Sequence, residues 1–260
     1  MRFIKAELLK LVYARRNYGI LLGAMALASI GSGFTPYALS RVPNAVVSPL
    51  TQTAAVDSVY SKSLGAYILA VILGVLVVTS EFNQKTAIAT YLAAPKRYQP
   101  LVAKIIVTSL AGAVMNLLAT LVGMGVAAYA LTFYPEAVAP SSSIWISDSL
   151  IALLTGAIIA IIGVGIGSLI RNQSFAVTIS LIWFFIIDRL LAVLFVEVGK
   201  WLPTGLIAGL ENLKFNYQGP VIKFNSGDYL DPWPAAGLLT VYGITFVVLS
   251  LLTTTRRDID

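Results

Sequence analysis

The stretch Thr79–Lys104, TSEFNQKTAIATYLAAPKRYQPLVAK, is a polar, helix-compatible segment set between two long apolar runs. A short amphipathic helix pinned between two membrane spans lies at the membrane surface, where a soluble partner can push on it. Outward from it in both directions, apolar runs of about 20 residues recur, each long enough to cross roughly 30 Å of hydrocarbon. Of the 260 residues, 58% are hydrophobic and only 12% charged, about half the charged fraction of a soluble domain. Mean hydropathy is +0.84. These values predict a single all-α polytopic membrane domain over residues 1–260.

The spans are placed by their apolar runs. Met1–Arg16 reads as an interfacial helix, with Ile4, Leu8, Leu11 and Val12 on one face and Lys5 and Lys10 elsewhere. The alternative is a signal peptide with Ala26-Leu-Ala28 as a cleavage-like site. The first span is expected over Tyr18–Phe34, followed by a polar loop, Thr35–Lys62, broken by Pro36, Pro43 and Pro49. Further spans are expected over Ser63–Thr79, Leu101–Thr132, Asp148–Ile170, Ser174–Val196 and Ala235–Leu252, six in all. Gly163, Gly165 and Gly167 lie inside an apolar run with no soluble strand before them, which favours close helix packing over a nucleotide loop.

Charge placement orients the chain. With both termini inside, the inner segments hold 12 of the 18 basic residues and four of the 12 acids, so the two sides carry +8 and −2. That bias places both ends in the cytoplasm of a cell membrane. The basic balance is therefore a topology signal, with anionic lipid as a secondary partner and no nucleic acid implied. There is no Cys and no His, which removes disulfides, thiolate sites and the commonest metal ligand and general base. No bound cofactor, metal or catalytic group is expected. No Gly-x-x-x-x-Gly-Lys-Ser/Thr loop occurs, so any ATP hydrolysis belongs to another polypeptide.

The organising segment resembles the loop after the second span in ABC-2-type transporter permeases. The resemblance rests on Glu81, Thr86, Leu92, Pro95, Arg97 and Lys104, with Lys85 standing where the family usually has Gly. The motif covers about a tenth of the chain, and the layout of spans extends the likeness to nearly its whole length. The resemblance implies the permease subunit of a bacterial inner-membrane exporter, working as a homodimer or heterodimer with separate ATPase subunits that hold ATP and Mg. It also implies an elbow helix over 1–16, a cytoplasmic coupling loop over 80–100 and a re-entrant external segment over 197–234. ATPase coupling would fall to Lys5, Glu7, Glu81, Phe82, Lys85, Thr86 and Arg97, with Glu81 and Arg97 read as exposed polar positions. The alternative for Lys85, Lys96 and Arg97 is that they only set topology. For 197–234 it is an external loop resting at the interface by Trp201 and Trp233.

Asp188 and Arg189 are the charged residues well inside an expected span, where an ionisable group costs about 2.5–3.5 kcal/mol on insertion scales. Being adjacent, they point about 100° apart and cannot simply pair with each other. An outer gate in a wet vestibule, a structural ion pair and a proton-relay acid all remain open for them. Asn116 and Thr120, one turn apart, fit either a pathway lining with Trp201 or interhelical hydrogen bonding. Two rival functions follow: a proton-coupled secondary carrier using Asp188, or a non-transporting sensor or assembly factor. The substrate class suggested by the apolar walls is amphipathic or lipid-like.

Overall fold

A backbone inside a bilayer must satisfy its own N–H and C=O groups, and the long apolar runs do so as helices. The computed structural model describes every residue except 1, 42–48, 62–64, 87–91, 93–97, 171, 211–216, 219–222, 225–228 and 257–260. Helices α1 (Arg2–Tyr13) and α2 (Arg15–Ser40) meet at Ala14. Then come α3 (Thr53–Ser61), α4 (Tyr67–Asn83), α5 (Tyr98–Leu131) and α6 (Ile144–Leu169). α7 (Gln173–Ile182) runs through a π-helical turn, Trp183–Ile187, into α8 (Asp188–Leu194). The short α9 (Val196–Gly199) and α10 (Pro203–Leu210) precede α11 (Pro232–Arg256). A two-residue antiparallel ladder pairs Tyr217–Gln218 with Lys223–Phe224.

Among the described residues, five stretches are long and apolar enough to cross a membrane: α2, α5, α6, Gln173–Ala192 and Pro232–Leu252. The expected second span differs. Its helix, α4, starts four residues later than Ser63 and has only 17 residues, rising about 25 Å. The expected loop before it also departs from the sequence reading. α2 continues through Pro36 to Ser40, with Pro36 buried, and the Thr35 hydroxyl donates to the Gly31 carbonyl at 2.6 Å. α3 forms within that loop because Ala55, Val56, Val59 and Tyr60 recur at helical spacing. They bury themselves against Met124, Ala127 and Ile144 at the ends of α5 and α6.

α6 is the hub, packed against α4, α5 and α11. Its glycines permit this. A Cβ on Gly163 would collide with the Val71 carbonyl of α4, and one on Gly167 would lie 2.9 Å from the Val75 carbonyl. On the side towards α5, a Cβ on Gly112 would fall 2.5 Å from the Gly156 carbonyl. Gly165 takes Phe246 of α11. The Gly-rich end is thus a packing device, as its apolar setting predicts, with backbones approaching where side chains are absent.

Two ends of the bundle are now defined. One gathers the start of α1 and α2, the end of α4 and the start of α5, and carries Lys5, Lys10, Arg15, Arg16, Lys85 and Lys104. The other gathers α3 and α8–α10 and carries Asp57, Asp148, Asp188 and Glu197. They are called the basic and the acidic end below.

Candidate functional site

At the basic end the last turn of α4 closes on a left-handed residue. Lys85 has φ 56°. Its amide donates to the Phe82 carbonyl at 3.2 Å, while the Thr86 amide donates to the Glu81 carbonyl at 2.9 Å. These paired bonds form the Schellman closure that a glycine usually supplies. The tight turn is made with Lys in the glycine position, at a cost of about 1 kcal/mol for the left-handed side chain. Arg16 of α2 donates to the Leu76 carbonyl at 3.2 Å and the Ser80 hydroxyl at 2.9 Å, a cation placed where the dipole of α4 favours one.

That turn fixes Glu81 inside a four-membered ion network. Lys104 donates to Glu81 Oε1 at 2.6 Å and to Glu7 Oε2 at 2.7 Å. Lys10 donates to Glu7 Oε1 at 2.8 Å and to the same Glu81 Oε1 at 2.7 Å. Lys104, Glu7 and Glu81 are buried at 2%, 5% and 7% exposure, whereas half of the Lys10 side chain faces outward. Two carboxylates and two ammonium groups leave the cluster neutral, which offsets much of the cost of removing them from water. Burial pulls the Lys10 ammonium down, but its hydrogen bonds to Glu7 and Glu81 and their charges outweigh this and raise it above its ordinary value of 10.5.

The network joins three elements that the sequence separates widely: α1, the end of α4 and the start of α5. The Asn17 side chain adds a bond to the Leu11 carbonyl at 2.7 Å, holding the α1–α2 corner. α1 therefore lies against the bundle by its Glu7 face. Its Leu8, Leu9, Val12 and Tyr13 stay exposed.

Against the sequence expectations, Glu7 and Glu81 come together, with Lys104 between them. Glu81 is not the exposed polar position expected: the left-handed turn and Lys104 draw it into the protein. Phe82 packs beside Val78, Leu101 and Val164, Lys5 is exposed, and Lys85 and Thr86 make the turn. Arg97 and the rest of 87–91 and 93–97 lie outside the described residues. Lys10 and Lys104 were missed as partners, although Lys104 three residues into an apolar run, and Glu7–Lys10 at i,i+3, were visible signals.

At the acidic end Asp188 is fully buried. Its carboxylate accepts from the Thr204 hydroxyl at 2.6 Å and the Thr204 amide at 3.3 Å. Thr204 opens α10, so the acid satisfies a free amide of that helix. In this chain α10 covers Asp188, which is 0% exposed. Leu206 and Ile207 of α10 are buried in the main core with Ala235 and Leu239, so 203–210 is not a loop resting on the surface. The Arg189 side chain lies outside the described residues. Trp201 is half-exposed, and its carbonyl accepts from the Tyr242 hydroxyl at 3.3 Å. Asn116 donates to the Ala152 carbonyl and the Thr155 hydroxyl, both at 3.0 Å, an interhelical bond, while the buried Thr120 hydroxyl has no partner among the described residues.

Among the described residues, no group of three or more His, Cys, Asp or Glu gathers to hold a metal. A scan against models of known protein families gave no match, and a search of curated proteins gave none either.

Proposed function

We propose that this chain is the membrane-spanning permease subunit of an ATP-driven exporter of the ABC-2 type, using ATPase subunits on separate chains. The observation that carries the reading is the ion network at the basic end. A surface helix that is ion-paired to both ends of the 80–100 loop can transmit force on that loop to α2, α4 and α5 together. A soluble ATPase pushing there would move a rigid unit rather than a tethered segment. Neutral side chains could anchor α1 for stability alone. Four charges meeting beside a surface loop instead make a contact that a partner's motion can strain and reset.

In this reading α4 makes a sixth crossing, completed at the acidic end by α3, which packs over α5 and α6. The segment 197–234 re-enters the membrane through α10, and the basic end faces the cytoplasm of a bacterial inner membrane. Asp188 and Thr204 then hold the outer end of the pathway closed. Two copies, or this chain and a related permease, would enclose the path for an amphipathic or lipid-like substrate.

The test is purification of the tagged full-length chain from native membranes in mild detergent. Stoichiometric recovery of an ATPase bearing a phosphate-binding loop, with ATP-dependent transport in proteoliposomes, is expected. Transport driven by a pH gradient without ATP, or no ATPase at any detergent concentration, would replace this reading with a secondary carrier or a non-transporting protein.

A further inference from the structure

The acidic end contains a buried carboxyl that meets no cation among the described residues. Asp148, on the second turn of α6, is 2% exposed and accepts from the Ser61 hydroxyl of α3 at 2.9 Å. No Lys or Arg among the described residues pairs with it. Another carboxylate, Asp57 of α3, is close enough to repel it, and the Asp57 Oδ1 accepts from the Ser141 amide at 2.8 Å. A buried anion left without a counter-charge is costly enough to call for one.

A second observation lies on the facing helix. α5 and α6 run antiparallel, with Gly112 against Gly156 and Asn116 bonded to the Ala152 carbonyl. Each step of four along α5 is matched by a step of four back along α6, so the next pair in register is Thr120 with Asp148. Thr120 is fully buried and its hydroxyl has no partner among the described residues; the Oδ1 of Asn116, one turn below, has none among them either. Helical Thr79, Thr155, Thr240 and Thr245 all donate back to the carbonyl four residues earlier, which Thr120 does not. Buried oxygens without partners among the described residues, in register with a carboxylate that meets no described cation, are the arrangement that a bound ion would explain.

We propose that Asp148, Ser61, Thr120 and Asn116 form a binding site for a dehydrated alkali cation, Na⁺. The donors are all hard oxygens, without the nitrogen or sulfur that transition metals favour. One buried carboxylate matches one positive charge, whereas a Ca²⁺ site draws on six to eight oxygens that usually include several carboxylates. Occupancy ties α3 to α5 and α6 at the acidic end. The site is independent of the transport reading.

The purified full-length protein in detergent is melted in NaCl and in choline chloride at equal ionic strength. Na⁺ should raise Tm by several degrees over choline, rising with the logarithm of concentration once above half-saturation, as about one bound ion requires. Asp148→Asn should remove the increment, and Thr120→Val, which keeps the fold and the carboxyl, should raise half-saturating Na⁺ about tenfold through the lost oxygen. Glu136→Gln, an exposed loop acid, should leave the increment unchanged and serves as control. If Asp148→Asn does not fold, Thr120→Val decides. Equal Tm in the two salts overturns the site, as does an increment that survives Asp148→Asn or an unshifted Thr120→Val. A Tm raised by Asp148→Asn in both salts would show a protonated carboxyl in place of a bound ion.

Discussion

Replacing Lys104 by Met removes the ammonium at the centre of the basic-end network while keeping a side chain of similar length. Glu7 and Glu81 then face each other at 5% and 7% exposure, with Lys10 their remaining cation. Lys10 is half outside, so the charge it offers is partly screened by solvent. Stranding one buried partner of an ion pair costs about 3–5 kcal/mol. Here two carboxylates lose a donor at 2.6 and 2.7 Å. The expected loss is about 3–5 kcal/mol rather than twice that, because Lys10 still neutralises one acid. For a protein of this size the fall in Tm is on the order of 10 °C.

The decisive arm is the combined variant Glu7→Gln, Glu81→Gln, Lys104→Met. With no buried charge left, its stability should return to within about 1–2 kcal/mol of wild type. Thermal unfolding of the purified protein, with fluorescence of a thiol probe at Leu9→Cys reporting whether α1 stays docked, reads both arms. A loss below about 1 kcal/mol in Lys104→Met is the size expected of exposed pairs. That result would refute the buried network and the mechanical role built on it. Under the proposed exporter reading, a combined variant that is stable yet no longer stimulates a partner ATPase would separate coupling from folding.

Other outcomes follow from the same geometry. Lys85→Gly should stabilise by about 0.5–1 kcal/mol, since glycine adopts the left-handed turn without strain; unchanged or lowered Tm would mean the turn is not left-handed. The pairing of Lys10, raised above its ordinary 10.5, should contribute fully below that pH and fade as pH climbs through the raised value. The Tm gap between wild type and Lys10→Met should therefore stay flat from neutral pH to about 10 and close above it. Thr204→Val removes a hydroxyl donor to a buried carboxylate and should cost about 1.5–3 kcal/mol; a loss under 0.5 kcal/mol would place Asp188 in water after all. Single cysteines at Gln84 and Asn172 should label only from the side opposite to one at Gln52, and labelling of all three from one side would overturn the topology.

The helices were legible wherever apolar runs exceeded about 18 residues, because burial of the backbone in hydrocarbon leaves little alternative. The boundaries slipped where polar or proline residues have a tertiary reason to be helical. Pro36 continues α2 because it is buried and its neighbour Thr35 bonds back to Gly31, neither of which a loop-like composition reveals. α3 was hidden by length: nine residues are marginal as an isolated helix, and α5 and α6 supply the surface that holds it.

The candidate site was legible as a list but not as a constellation. Glu7, Glu81 and Lys104 are separated by 97 positions at the extremes, and nothing in a linear pattern says that a surface helix folds back onto that loop. Reading Glu81 as exposed followed from its place at the end of an apolar run, where acids normally meet water. Two later facts reverse it. The turn at Lys85 tightens the helix end, and Lys104 lies three residues inside the next run, too deep for its ammonium to remain unpaired. The same logic runs at the other end, where Asp188 finds Thr204 on α10. Lys104 and Asp188, two charges that the apolar runs enclose, are thus each met by a residue from a shorter segment, Glu7 of α1 and Thr204 of α10. Such contacts hold α1 and α10 against the bundle; in the proposed exporter they would carry motion from either face to the helices between.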